Sequence, residues 1–145
     1  MTDILLDTHI FLWLMNGDSK LAQENLSKID SVINSEGRIC LSAISIWEIA
    51  MLEAKRRIAL TQPIRKWVEQ AIEIAFVKVM ELSTEILLDS CHLPGEFHSD
   101  PADRMIVATS RVKNIPLITQ DEKILNYSHC MTGANVTLDS LTFCK

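Results

Sequence analysis

Four carboxylates stand out by position: Asp7 directly after an apolar run, Glu48 on a mostly apolar helical face, Asp103 three residues after a second aspartate, and Asp121 after a late apolar run. Three of them also have a purely structural reading. Asp7 and Asp121 suit helix N-caps. Asp100 suits a cap with Pro101 in the first turn, which puts Asp103 at the reciprocal position of a capping box. Glu48 is different, because its neighbours three and four residues away are Ile44, Ser45, Met51 and Leu52. A carboxylate on such a face is costly to bury unless something pairs with it. Glu53, on another face, has Arg56 and Arg57 at those spacings and reads as a solvated ion pair. For Glu48 the choices are a metal ion, a distant cation, or a head group that reaches past the edge of the core. Several carboxylates at one site repel one another unless protons or cations neutralise them. Oxygen-only ligation suits Mg²⁺ or Mn²⁺ better than zinc. Those ions suit phosphodiester hydrolysis, since they acidify water and stabilise charge on the attacked phosphate.

Such a cluster needs elements that bring distant residues to one edge. The chain alternates short apolar runs with amphipathic ones. Strands are expected at Ile4–Leu6, Ile39–Leu41, Val77–Leu82 and Pro116–Thr119, with a last one at Val136–Leu138. Helices are expected at about His9–Met15 (closed by Asn16-Gly17), Lys20–Asn34 (stopped by Gly37), Ile44–Arg57, Pro63–Ala75, Thr84–Cys91, from Asp100-Pro101 to about Asn114, and briefly after Asp121. Strands alternating with helices predict a parallel sheet covered on both faces, and continuous apolar strand runs agree. In such a sheet ligands bind beyond the carboxyl ends of the strands, which is where these acids fall.

A chain of 145 residues, 48% apolar, is expected to form a single domain over residues 1–145. No run reaches the roughly 18 apolar residues of a membrane span, and the start lacks a signal-peptide pattern. A cytoplasmic, non-membrane protein is expected. Cys40, Cys91, Cys130 and Cys144 are irregularly spaced and read as free thiols. Cys91-His92 with His98 lacks the four-ligand spacing of a zinc site. The net charge of −5 is the wrong sign for a protein that grips nucleic acid with its whole surface.

Taken in order, four segments resemble the PIN-domain family: Ile4-Leu5-Leu6-Asp7-Thr8-His9, Ser42 to Ile49 around Glu48, Asp100-Pro101-Ala102-Asp103-Arg104 onward to Ser110, and Pro116-Leu117-Ile118-Thr119-Gln120-Asp121. No one segment is specific, but all four at these spacings cover nearly the whole chain. The resemblance is greatest to VapC-like toxins of toxin–antitoxin pairs. It implies a three-layer α/β/α sandwich around a mostly parallel five-stranded sheet. It implies a divalent-metal endoribonuclease with Asp7, Glu48, Asp103 and Asp121 as catalytic and metal-holding residues. It also implies an RNA substrate, a homodimer and a small cognate antitoxin.

Around that set, Thr8 and Thr119 are expected to hydrogen-bond a carboxylate or a metal-bound water, or simply backbone groups; Asp100 to cap a helix and support the acids; and Arg104 to offer a local RNA contact or a solvated helix surface. Lys55-Arg56-Arg57 and Arg65-Lys66 are further basic runs. Trp47 has three readings: core, dimer interface, or a stacking platform for a base. His9 and His98 read as surface or capping residues near the acids. Two rival functions differ in class. A phosphatase using Asp7 as nucleophile lacks the second aspartate at position 9, which is His. A catalytically silent PIN scaffold acting as a binding module fits a chain that has lost an acid, and none is lost here.

Overall fold

The computed structural model describes residues 3–132. The elements run β1 (Ile4–Leu6), α1 (Thr8–Asn16), α2 (Gln23–Asn34), β2 (Ile39–Ser42), α3 (Ala43–Ala54), α4 (Ile64–Ile74), β3 (Lys78–Met80), α5 (Thr84–Cys91), α6 (Pro101–Lys113), β4 (Leu117–Ile118) and α7 (Glu122–Leu125). The strands form one sheet in the order β3-β2-β1-β4, and every pairing is parallel. Leu5 lies opposite Cys40 and Leu117, while Leu6 lies opposite Leu41 and Ile118.

Alternation along the strands sends side chains into two cores. Ile4, Leu6, Leu41 and Ile118 pack under α1, α2 and α4, with Phe11, Ile29 and Trp67. Leu5, Cys40 and Leu117 pack on the other face, with Ile86 of α5, Ile106 of α6 and Ile124 of α7. This is the expected layered arrangement, helices on both faces of a parallel sheet. It has four strands among the described residues where five were expected. The expected strand Val136–Leu138 lies outside the described residues, although Leu117 already pairs in parallel with Thr132.

The strand order places a topological switch between β1 and β4. From β1 the chain winds outward through β2 to β3, then returns across the other face to β4. Adjacent connections therefore leave in opposite directions and open a crevice at the carboxyl ends. The helices that begin at or near this edge carry side-chain caps. Asp7, Ser42, Asp100 and Asp121 each accept a backbone N–H from the first turn of the following helix.

The start of α2 and the end of α3 depart from expectation for identifiable reasons, while α2 ends at Asn34 as expected but is closed by a different residue. Helix α2 begins at Gln23 rather than Lys20, because Asp18 turns the chain by accepting the Lys20 amide at 2.9 Å. Helix α3 ends at Ala54 because Arg56 adopts φ 56. That break removes the helical spacing from Glu53 to Arg57, and the expected ion pair does not form. Helix α2 is closed by Glu36 in the left-handed region, φ 64, not by Gly37. The Gly37 amide instead bonds Val32 O at 2.8 Å, completing the turn.

A residue with a Cβ is strained by roughly 1–2 kcal/mol in that conformation, while glycine costs about 0.4–1 kcal/mol through the unfolded chain. Glu36→Gly is therefore expected to stabilise the protein by up to about 1 kcal/mol. Urea unfolding should show a higher midpoint with an unchanged slope. A lower midpoint would contradict this account of the α2 terminus.

Candidate active site

Asp7 leaves β1 at the switch point and is only 3% exposed. Its backbone amide bonds Ile118 O across the sheet at 3.0 Å. One carboxylate oxygen accepts the Thr8 amide at 2.9 Å and the other accepts the Thr119 hydroxyl at 2.7 Å. Thr119 Oγ1 in turn accepts the Asp121 amide at 3.0 Å. His9 Nδ1 stands 3.4 Å from the same Asp7 oxygen. Its Nε2 accepts the Gln120 amide at 3.2 Å, which leaves Nδ1 as the ring N–H facing Asp7.

Thr8 links this group to α3. Its hydroxyl donates to Glu48 Oε1 at 2.5 Å and lies 2.8 Å from Ser45 Oγ, on the buried side of α3. The partner of Glu48 is therefore a hydroxyl, not a distant cation, and it leaves the carboxylate charge uncompensated. Asp103 sits in the first turn of α6. Its amide donates to the Asp100 cap at 2.9 Å, as a capping box requires, but its carboxylate turns to His98. His98 Nε2 is 3.0 Å away, yet makes no hydrogen bond, so the contact is close but not aligned. Asp121 caps α7 by accepting the Lys123 amide at 2.9 Å.

Charge exposes how tightly these groups face one another. Burial raises the Asp103 carboxyl to about 7, and Asp7, Asp100, Asp121 and Glu48 push the same way. Glu48 is also raised, first by burial, with Thr8 opposing and Asp7 and Asp100 adding to it. Asp7 is raised by burial against the pull of His9, Thr119 and Thr8. No lysine or arginine is among the main influences on these three acids. All four sequence-selected acids thus meet at one edge, together with Asp100. Among the described residues no three His, Cys, Asp or Glu side chains are assembled into a metal cage. The donor chemistry nonetheless fits a hard divalent cation: oxygen donors on four separate elements, with no lysine or arginine among them and only His9 and His98 close by.

Several supporting expectations change. Thr8 and Thr119 serve carboxylates rather than backbone acceptors. Arg104 does not offer itself to RNA, since three of its donors bind the carbonyls of Ser90, Phe97 and His98 at 2.8, 3.0 and 3.1 Å. It braces the loop that carries His98. Cys91 and His92 are exposed, and His92 bonds Leu88 O, so they do not converge with His98. Gln120 was overlooked. Its side chain accepts from Ala22 N and Asn25 Nδ2 and donates to Lys20 O, pinning the α1–α2 turn to the end of β4. Its place between Thr119 and Asp121 was the one available signal.

A family model described as PIN domain matches residues 4–129. The chain is 30% identical over 129 residues to Ribonuclease VapC22 of Mycobacterium tuberculosis (strain ATCC 25618 / H37Rv), covering 89% of this chain and 95% of that protein. Among solved structures it is similar to VapBC2 from Rickettsia felis bound to a DNA fragment from their promoter, with TM-score 0.65 and 13% identity over 90% of this chain and 97% of that one. It is also similar to a toxin-antitoxin complex from Klebsiella pneumoniae, with TM-score 0.59 and 18% identity over 89% and 96% of the two chains. At those identities the structures speak to the fold.

The raised carboxyls destabilise the metal-free fold as they ionise. Asp103 moves from 3.8 to about 7 on folding, so between those values the folded state holds more protons than the unfolded one. Stability then falls as pH rises through that window. In chelator, the melting temperature of wild type should decline from about pH 4 to 7 more steeply than that of Asp103→Asn. Parallel profiles would remove Asp103 from the cluster's electrostatics.

Proposed function

The chain belongs to the PIN-domain family, and we propose that residues 1–145 form one nuclease domain, a divalent-metal-dependent endoribonuclease acting in the cytoplasm as the toxin of a toxin–antitoxin pair. Identity to a protein named as a ribonuclease supports the activity. Likeness to chains from a toxin–antitoxin complex and from VapBC2 agrees with a small protein antitoxin as partner. A homodimer goes with the same kinship. Among the described residues no helix is long and apolar enough to cross a membrane.

The observation that carries the reading is the meeting of Asp7, Glu48, Asp103 and Asp121 at the switch point with no lysine or arginine among the main influences on the first three and His9 alone opposing the charge of Asp7. Asp7, Glu48 and Asp103 would hold Mg²⁺ or Mn²⁺, with Asp121 completing the set. When bound, the ion supplies Lewis acidity toward the phosphate and a more acidic water for attack. The protein's own contribution is orientation. Thr119 and the Thr8 amide fix both oxygens of Asp7, and His9 closes on one of them. The Thr8 hydroxyl, at the start of α1, holds Glu48 of α3. The Asp100 cap fixes the first turn of α6 and so the root of Asp103. Each acid is thereby set before substrate arrives, which lowers the reorganisation needed at the reacting phosphate.

Purified protein should cut total cellular RNA into discrete fragments with Mn²⁺ or Mg²⁺ and not with chelator. Asp7→Asn removes the charge and keeps one acceptor oxygen for the Thr8 amide, while its NH2 faces the Thr119 hydroxyl as a donor. It should abolish cleavage while leaving the circular dichroism spectrum unchanged. Mn²⁺ at about 100 times its Kd should add about 2.7 kcal/mol to wild-type stability and less to the variant. Full activity in Asp7→Asn would overturn the assignment. A folded protein that binds Mn²⁺ and cleaves nothing would instead favour a binding role.

A further inference from the structure

Beside the acids lies a slot of about 370 Å³ between α3 and the start of α6. Trp47, Met51, Pro101 and Met105 give it apolar walls, and Glu48 and Asp100 line it too. Its size falls within the range of small-ligand pockets. Trp47 is 57% exposed, which removes the core reading of that residue. We propose that this slot is a nucleobase subsite, in which the base flanking the scissile phosphate stacks on Trp47 beside Glu48. The inference rests on the ribonuclease reading and adds to it the group that positions the RNA.

Three features favour a base over a protein side chain. First, Glu48 belongs both to the slot and to the acid cluster, so an occupant lies next to the reacting position. A base is tethered to its phosphate at short range, and its amino groups can donate to the two carboxylates. An apolar side chain from a protein would strip water from Glu48 and Asp100 and give nothing back. Second, a two-fold contact between copies sets a patch against itself, which would bring the same two acids close to their own counterparts. Third, Trp47 and Met51 lie one turn apart on α3, and Lys55, its C-cap, follows at the same spacing. Lys55 lies about 12 Å along the axis from Trp47, and Lys55, Arg56 and Arg57 are all exposed. Cations thus follow the slot on the side away from the acids. A strand laid along α3 meets carboxylates at the scissile phosphate, an aromatic face at the next base, and positive charge at later phosphates.

The experiment uses the full chain and a short oligoribonucleotide carrying a cleavage site mapped in total cellular RNA. A single abasic ribose is moved through the positions flanking the cut. Trp47→Ala should lower kcat/KM by about 5- to 150-fold, mainly through KM, and Trp47→Phe should recover most of it. One abasic position should cost wild type a similar factor and cost Trp47→Ala little more, since the same contact is already gone. Melting temperatures of the variants check that folding is intact. Cleavage by wild type with no effect of Trp47→Ala, or with additive losses at every abasic position, overturns the subsite and leaves the nuclease reading standing. A loss of dimer mass in Trp47→Ala together with additive losses assigns Trp47 to an interface between copies. Absence of cleavage by wild type on any RNA removes both readings together.

Discussion

The Asp7 carboxylate is the point on which this structure turns. It is buried at the end of the central strand, where every path between β1 and β4 must pass. Its amide continues the sheet through Ile118, its side chain caps α1, and its second oxygen takes the hydroxyl of Thr119. One residue therefore joins the sheet, the first helix and the loop after β4. Burial without a lysine or arginine is unfavourable, and directed hydrogen bonds offset part of that cost. The remainder stays in the folded protein as raised carboxyl affinities for protons.

That remainder explains why the neighbouring elements are arranged as they are. Glu48, Asp103 and Asp121 come from three further segments, each rooted by a cap or a hydroxyl contact. Fixing several like charges in one place opposes folding, so the supporting frame must be rigid. Two cores, one on each face, supply that rigidity. Gln120 ties the α1–α2 turn to the same edge, and Arg104 ties down the loop before α6. Neither residue adds charge to the acids. Both spend polar groups mainly on backbone partners, which holds the edge in place.

Much of this was legible in the sequence because it depends on local rules. Short β-rich apolar runs, Asp or Ser before helices, and Pro101 in a first turn each point to one outcome. The order of four acidic segments pointed to acids that the fold brings to one edge. What the sequence hid depends on contacts across the fold. Nothing local to Glu48 shows that Thr8, 40 residues away, reaches its carboxylate. Nothing local to Arg104 shows that its donors go to carbonyls, since a basic residue beside acids reads equally well as a substrate contact. The end of α3 was misplaced because Arg56 takes the left-handed conformation, and α2, though it ends where expected, is closed by Glu36 in the conformation that the pattern assigns to Gly37. Trp47 had three readings on the sequence and lost one when its exposure was known.

The acidic balance of the chain, −5 overall, then takes on a different meaning. Broad electrostatic attraction would bring any RNA to the site and hold it by phosphates alone. On the proposed reading, the acids at this edge would repel phosphate unless a divalent ion lay between. Attraction has to come from a few places: the exposed Lys55-Arg56-Arg57 run at the end of α3 and the apolar slot that leads from it. Stacking acts at short range and depends on an unpaired base being presented at the right distance from the cut. Duplex RNA, with its bases stacked inside, cannot satisfy it. On the proposed reading, a protein that repels the backbone and accepts a splayed base would be confined to single-stranded segments, and its selectivity would follow from weak general binding rather than from strong specific binding.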